Sequence, residues 1–231
     1  MMIQLFHLTK VHPSGVKVLD DAFFSAPSGS FTVVLGESRT GKSTFLKMLC
    51  GEEKPTSGTL LVAHQEIHKV PVSEKKKWLA EVGLILPDLG LFPEKTVEEN
   101  ILFPLQVKGA TLDEGRESLL SLLEWVGLQP KAKSKPGDLS SGEQRVVTAL
   151  RAMVFRPKLL LADEPFQGVD EKAVGVLLRF LGQLHQEGTT IVLATQQAWV
   201  VEKIKDSLKE VPVEWVQLRD GKLLALEVAD V

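Results

Sequence analysis

The sequence predicts an α/β fold with a mostly parallel core sheet, an N-terminal antiparallel β segment and an inserted set of helices. Three observations carry this expectation. Period-two apolar alternation dominates residues 3–26. A short apolar run then enters a Gly-containing turn that opens a helical pattern. Two later apolar runs flank an amphipathic stretch, which is the pattern of a β-α-β unit on a parallel sheet.

Ile3 to Thr9 and Val16 to Ala26 read as two antiparallel strands, and Phe31 to Leu35 as a buried strand. Ser43 to Cys50 carries helical periodicity. The stretch Lys54-Pro55-Thr56-Ser57-Gly58 is a turn before a strand at Thr59 to Ala63, and Val82 to Leu86 is a further buried strand. From Thr96 to about Phe155 the pattern is helical, so residues 90–157 are expected to form a helical insertion within one domain spanning 1–231. Lys158 to Ala162 and Thr189 to Ala194 are strands on either side of a helix at Glu171 to Gln186. Glu214 to Leu226 reads as a hairpin turning at Asp220-Gly221.

Composition limits the function classes. With 27 Lys and Arg against 30 Asp and Glu, the net charge is -3, which removes the simplest electrostatic case for a nucleic-acid partner. A hydrophobic fraction of 44% with 25% charged residues suits a folded globule and excludes a mostly disordered chain. The longest uncharged stretch, Ala22 to Gly36, is too short and polar to cross a bilayer, and no signal-like start is present. One cysteine, Cys50, excludes an internal disulfide and reads as a small buried hydrophobe. The expected location is therefore the cytoplasm.

Two motifs carry chemistry. Gly36-Glu37-Ser38-Arg39-Thr40-Gly41-Lys42-Ser43 fits Gly, four residues, Gly, Lys, then Ser or Thr. Between an apolar strand and a helix, such a loop turns backbone N–H groups and a helix N-terminus onto a polyphosphate. Lys42 is then expected to neutralise the β- and γ-phosphates, and the Ser43 hydroxyl to ligate Mg²⁺. Residues 159–164 form an apolar strand ending in Asp163 and Glu164. Asp163 is expected to hold Mg²⁺ through water and Glu164 to act as general base. Between the motifs, Leu139-Ser140-Ser141-Gly142-Glu143-Gln144 opens an apolar-periodic helix. By itself it reads as an N-cap and capping box.

With these neighbours, that segment resembles the signature motif of ATP-binding cassette (ABC) ATPases, and the likeness covers essentially the whole chain. It implies a P-loop NTPase fold of ABC type. Gly168-Val169-Asp170 stands at the D-loop place, and Thr195-Gln196 at the position after the next strand. The insertion, with Phe92-Pro93, Thr96-Val97-Glu98-Glu99-Asn100 and Phe103-Pro104-Leu105, is most similar to the FtsE-type cell-division and LolD-type lipoprotein-release ATPases. The resemblance implies a dimer, as a homodimer, in which one copy's phosphate loop (Gly36, Ser38, Arg39, Thr40, Gly41, Lys42, Ser43, Thr44) meets the other's signature (Ser140, Ser141, Gly142, Glu143) across ATP. It also implies Asp170 in the D-loop, an integral membrane permease-like or FtsX-like partner, no nucleic acid, and a peripheral place on the inner face of the cytoplasmic membrane.

Several residues depart from the family. Gly is usual where Arg39 and Ser141 stand, Gln where Pro87 stands, and His where Gln196 stands. The adenine-stacking aromatic falls near His12, in a chain without Tyr. Pro87 has no side-chain amide and no backbone N–H, and Gln196 donates only a neutral hydrogen bond. Arg39 either strengthens phosphate binding or distorts a loop that prefers Gly. These departures leave two readings, a slowed ATPase and an ATP-binding regulatory subunit with little hydrolysis. His64 and His68 lie beside a strand and turn, Lys75-Lys76-Lys77 reads as a solvated helix face, and Trp78, Trp125, Trp199 and Trp215 as core or interface anchors.

Overall fold

The computed structural model describes residues 1–109 and 116–227 of the 231-residue chain, without the side chains of 116–118. The part of the expected helical insertion at 110–115 and the last four residues fall outside the described residues.

A three-stranded antiparallel sheet has the order β2-β1-β4, from β1 (Ile3–Val11), β2 (Lys17–Ala26) and β4 (Ser57–Val62). A six-stranded sheet has the order β5-β6-β7-β3-β8-β9. Its strands are β3 (Phe31–Leu35), β5 (Val82–Ile85), β6 (Leu159–Asp163), β7 (Thr190–Thr195), β8 (Val213–Arg219) and β9 (Lys222–Leu226). All neighbours in it run parallel except β8 and β9, which form the hairpin expected at Asp220-Gly221.

The central strands are apolar because both faces are covered. Leu160, Ala162, Ile191 and Leu193 face one core, with Val146, Val147 and Leu150 of α5 (Ser141–Met153) and Val174, Leu177, Leu178 and Leu181 of α6 (Glu171–Gln186). Leu159, Leu161, Val192 and Ala194 face a second core, with Phe45, Leu46 and Leu49 of α1 (Lys42–Leu49) and with Ile3, Leu5 and Leu8 of the antiparallel sheet. The N-terminal strands thus roof the helix that begins at the phosphate loop.

Between β5 and β6 the chain forms α3 (Val97–Val107), α4 (Arg116–Trp125) and α5, with one-turn 3-10 helices at Gln129–Lys131 and Pro136–Asp138. The helical periodicity over 96–155 therefore resolves into separate pieces, broken where Pro130 and Pro136 start short turns. α3 begins at a capping box: the Thr96 hydroxyl accepts from Glu99 N at 3.2 Å, and Glu99 Oε2 accepts from Thr96 N at 2.7 Å. Two further helices, α2 (Val72–Leu79) and α7 (Ala198–Ser207), complete the chain. α2 carries Lys75-Lys76-Lys77 and buries no residue fully, so its apolar signal is weak. No described helix is long and apolar enough to cross a membrane.

Replacing Thr96 by Ala removes the side-chain acceptor that starts α3 and strands Glu99 N. Loss of such a cap costs about 1 kcal/mol, so Thr96→Ala is expected to lower the unfolding free energy by that amount, read as a lower urea midpoint with an unchanged m-value.

Candidate functional site

The parallel register assembles the site. Leu35 pairs with Thr195, and Asp163 with Ala194, so β3, β6 and β7 end at the same level. Gly36, Glu164 and Gln196 each follow one of these ends, at the carboxyl edge where open α/β sheets bind ligands.

The loop after β3 turns into α1 through Gly41, whose φ of 106° is in the left-handed region. A Cβ there would collide with Val18 of β2, so glycine is required on two counts. Arg39 also has a positive φ, 65°, and is exposed. The strain of replacing the family's usual Gly is thus carried by the backbone, with the guanidinium in solvent.

Lys42 is the first residue of α1 and is buried. Its ammonium donates to Gly36 O at 2.7 Å and Glu37 O at 2.8 Å. Desolvation lowers its pKa, while Glu164 and Asp163 pull the other way. The Ser43 hydroxyl lies beside the Asp163 carboxyl and favours its ionised form. Burial pushes the Asp163 pKa up, against the opposing effect of Ser43. Its Oδ2 is buried without a hydrogen-bond partner among the described residues. A hydroxyl and a buried carboxylate with an unsatisfied oxygen suit a hard cation. Ser43 and Asp163 therefore fit Mg²⁺. Beside them a cavity of about 210 Å³ is lined by Pro87, Ser141, Gln144, Arg145, Thr148 and Asp163, among others.

Glu164 follows β6 with φ 44°, a left-handed conformation that non-glycine residues enter at a cost. Its backbone N–H donates to Ala194 O at 2.9 Å. Its carboxylate accepts from Gln196 N at 2.8 Å, from the Thr195 hydroxyl at 2.9 Å and from Gln197 Nε2 at 3.0 Å. It is the Gln196 backbone amide, not its side chain, that meets Glu164. Beside the Thr195 hydroxyl, the side chain that does so is that of Gln197, which lies outside the residues the sequence points to. A neutral amide one residue beyond a loop position carries no motif, and only the end of β7 turns it inward.

The signature segment is a capping box as well. Ser140 caps α5, accepting from Glu143 N at 3.3 Å, while Glu143 Oε2 accepts from Ser140 N at 2.8 Å. Lys131 donates to both Glu143 oxygens, at 2.7 and 2.9 Å, and this pair with the Ser140 hydrogen bond lowers the Glu143 pKa. Gly142 packs against the loop after β6 so closely that a Cβ would collide with the Gly168 carbonyl. Asp170 caps α6, accepting from Ala173 N at 2.9 Å. His12 lies over the start of α1, its Nε2 3.2 Å from the Thr44 hydroxyl. Ser38 and Thr40 lie in the same loop, with the Thr40 hydroxyl on Glu37 O at 3.0 Å.

Cys50 is buried and its thiol is pushed up to about 11 by desolvation, which makes it unreactive at neutral pH.

Residues 19–167, well over half the chain, match the family model of the ABC transporter. The chain belongs to the ABC transporter family. Within it, the chain is 35% identical over 204 residues to the cell division ATP-binding protein FtsE of Bacillus subtilis (strain 168), covering 88% of this chain and 90% of that one. It is 33% identical to the FtsE protein of Escherichia coli (strain K12), over 87% of this chain and 91% of that one. A methionine import ATP-binding protein MetN of Corynebacterium jeikeium (strain K411) is 35% identical over 87% of this chain, which spans 56% of the MetN length. Among solved structures, the dimeric post-hydrolysis state of the ATP-binding cassette MJ0796 bound to ADP and Pi superposes with a TM-score of 0.83 at 27% identity, over 96% of both chains. The ABC-type fold and a likeness to FtsE-type ATP-binding proteins are thus common ground between sequence and structure.

Two outcomes follow from this geometry. Arg39→Gly relieves a left-handed side-chain-bearing residue, at some cost in unfolded-chain entropy, and is expected to raise stability by about 0.5–1 kcal/mol in urea unfolding. For Glu143, the folded pKa is depressed, so its contribution is present above the ordinary carboxylate value and fades as pH falls through the lower folded value. Lys131→Met removes the main cause of that depression. The variant is expected to lose less stability than the wild type as pH drops below about 4.3, in urea titrations at a series of pH values.

Proposed function

We propose that this chain is the ATP-binding and ATP-hydrolysing subunit of an ABC-type membrane complex, FtsE-like in its cassette, with residues 1–231 acting as one nucleotide-binding domain. The observation that carries the reading is the meeting of Lys42, Ser43, Asp163 and Glu164 at the aligned ends of β3 and β6. One cation, one hydroxyl and two carboxylates in different environments are the parts that phosphoryl transfer to water needs.

ATP lies with its phosphates against the loop of residues 36–43 and the N-terminus of α1, where N–H groups and Lys42 offset their charge. His12 is placed to contact the base. Ser43 and Asp163 would hold Mg²⁺, which when bound would supply positive charge to offset that of the phosphates. Glu164 takes a proton from water as the water oxygen bonds to the γ-phosphorus. The bond from that phosphorus to the β–γ bridging oxygen breaks, giving ADP and phosphate.

Two copies close head to tail, and the second copy supplies Ser140, Ser141, Gly142 and Glu143 to the γ-phosphate. The capping box gives that segment a preformed helix N-terminus, and the dimeric structure of the MJ0796 cassette bound to ADP and Pi supports such an assembly. The integral membrane partner, permease-like or FtsX-like, docks in an apolar groove of about 400 Å³ lined by Leu79, Leu89, Phe92, Phe103, Val107 and Phe155. Lys108 and Arg151 flank it, and Arg151 ties down the adjoining loop through Gly90 O at 3.0 Å. That loop begins at Pro87, beside the cavity reaching Asp163, so a helix in the groove sits one loop away from the metal ligand. The cassette would then lie on the cytoplasmic face of the membrane.

Turnover is slower than with His at position 196. A hydrogen bond to a charged group is worth about 1.5–3 kcal/mol and a neutral donor keeps roughly half, so the deficit is on the order of fivefold.

Single-turnover hydrolysis and MgATP binding by the full chain test this reading. Lys42→Ala is expected to weaken MgATP binding by at least about tenfold. Glu164→Gln is expected to keep binding, nearly stop hydrolysis and accumulate an ATP-dependent dimer in light scattering, and Gln196→His to speed turnover several-fold. A wild type no faster than Glu164→Gln would overturn the hydrolase reading.

A further inference from the structure

The surroundings of Glu164 distinguish its two oxygens. Oε2 takes two donors, the Thr195 hydroxyl at 2.9 Å and the Gln197 amide at 3.0 Å, whereas Oε1 takes one, Gln196 N at 2.8 Å. A carboxylate oxygen has two lone pairs in its plane, so Oε2 is filled and Oε1 keeps one free.

The donors are themselves oriented. Trp199 Nε1–H donates to Gln197 Oε1 at 2.8 Å. An indole nitrogen only donates, so the Gln197 carbonyl must face Trp199 and its NH₂ must face Glu164. Likewise Gln197 N donates to the Thr195 hydroxyl oxygen at 3.1 Å, leaving that hydroxyl's proton for Glu164. Trp199 lies on the first turn of α7 and is 41% exposed, so its ring is not placed there by core packing.

We propose that Gln197, oriented by Trp199, is a positioning residue that occupies Oε2 of Glu164 and leaves proton abstraction to Oε1. This rests on the reading of Glu164 as general base. With Oε2 filled, the carboxylate is pinned at three points, and the free lone pair of Oε1 has one direction in which to meet a water. Without Gln197 both oxygens have a free lone pair, and the carboxylate turns about its last bond between orientations of which one is productive. The charge on Glu164 and the phosphate contacts of Lys42 and Ser43 do not change, so the effect falls on the chemical step and not on nucleotide affinity.

The test is single-turnover hydrolysis at saturating MgATP, with MgATP dissociation constants and thermal midpoints measured alongside, for the full-length wild type, Gln197→Leu, Trp199→Phe, the double variant and Glu164→Gln. Gln197→Leu is expected to slow the chemical step about tenfold with a dissociation constant within about twofold of the wild type. Trp199→Phe keeps the ring and loses the donor, and is expected to slow the step about threefold. Because Trp199 acts through Gln197, the double variant should be no slower than Gln197→Leu alone. An unchanged rate in Gln197→Leu, a loss that appears in the dissociation constant, or additive losses in the double variant would each overturn this inference alone. If Gln197→Leu does not fold, an unchanged rate in Trp199→Phe overturns it. A wild type no faster than Glu164→Gln overturns both this inference and the hydrolase reading.

Discussion

The site depends on three parallel strands ending at one level. Leu35 opposite Thr195 and Asp163 opposite Ala194 bring the phosphate loop, the carboxylate pair and the residues after β7 to one edge of the sheet. A slip of β7 by one residue would turn Ile191 and Leu193 out of one core and Val192 and Ala194 out of the other, so the hydrophobic effect on both faces enforces the register. Core packing and site geometry are one constraint in this protein.

That register sets the charges within a low-dielectric edge. The Glu164 charge acts on both Lys42 and Asp163, and burial works against the ionised forms of both. Among the described residues the buried Oδ2 of Asp163 has no hydrogen-bond partner, and the Lys42 ammonium is bonded to two carbonyls of its own loop. Groups arranged in this way are suited to a polyphosphate and a divalent cation, which satisfy a cation's donors and a carboxylate's lone pair together.

Several residues with proposed roles at the nucleotide already serve the fold. Ser140 and Glu143 start α5, Asp170 starts α6, and Gly142 permits the first turn of α5 to approach the Gly168 carbonyl. Helix starts expose unpaired N–H groups, so the residues that cap them stand where an anion is attracted. Glu164 shows the opposite relation. Its left-handed backbone is a local cost held in place by the hydrogen bond to Ala194 and by Arg145, whose guanidinium reaches the Glu164 carbonyl at 3.4 Å.

The sequence alone determined the elements whose information is local. Apolar runs marked β3, β6 and β7, Gly36 to Ser43 marked the phosphate loop, and residues 159–164 marked the carboxylate strand, because period and motif are written in neighbouring residues. It did not show α7, whose single apolar turn of Val200, Val201 and Ile204 is helical only against the large core cluster. Nor did it show how the helical periodicity of 96–155 divides: the turns that start at Pro130 and Pro136 fold back on the start of α3, where Val97 N and Glu98 N donate to the carbonyls of Ser134 and Ala132. In the site, the family resemblance pointed to Gln196; in the structure Gln196 meets Glu164 through its backbone N–H, and the Gln197 side chain is turned onto Glu164 as well. Which of two adjacent amides faces inward depends on how the chain leaves β7 and on the Trp199 donor two residues on, and only tertiary structure decides that.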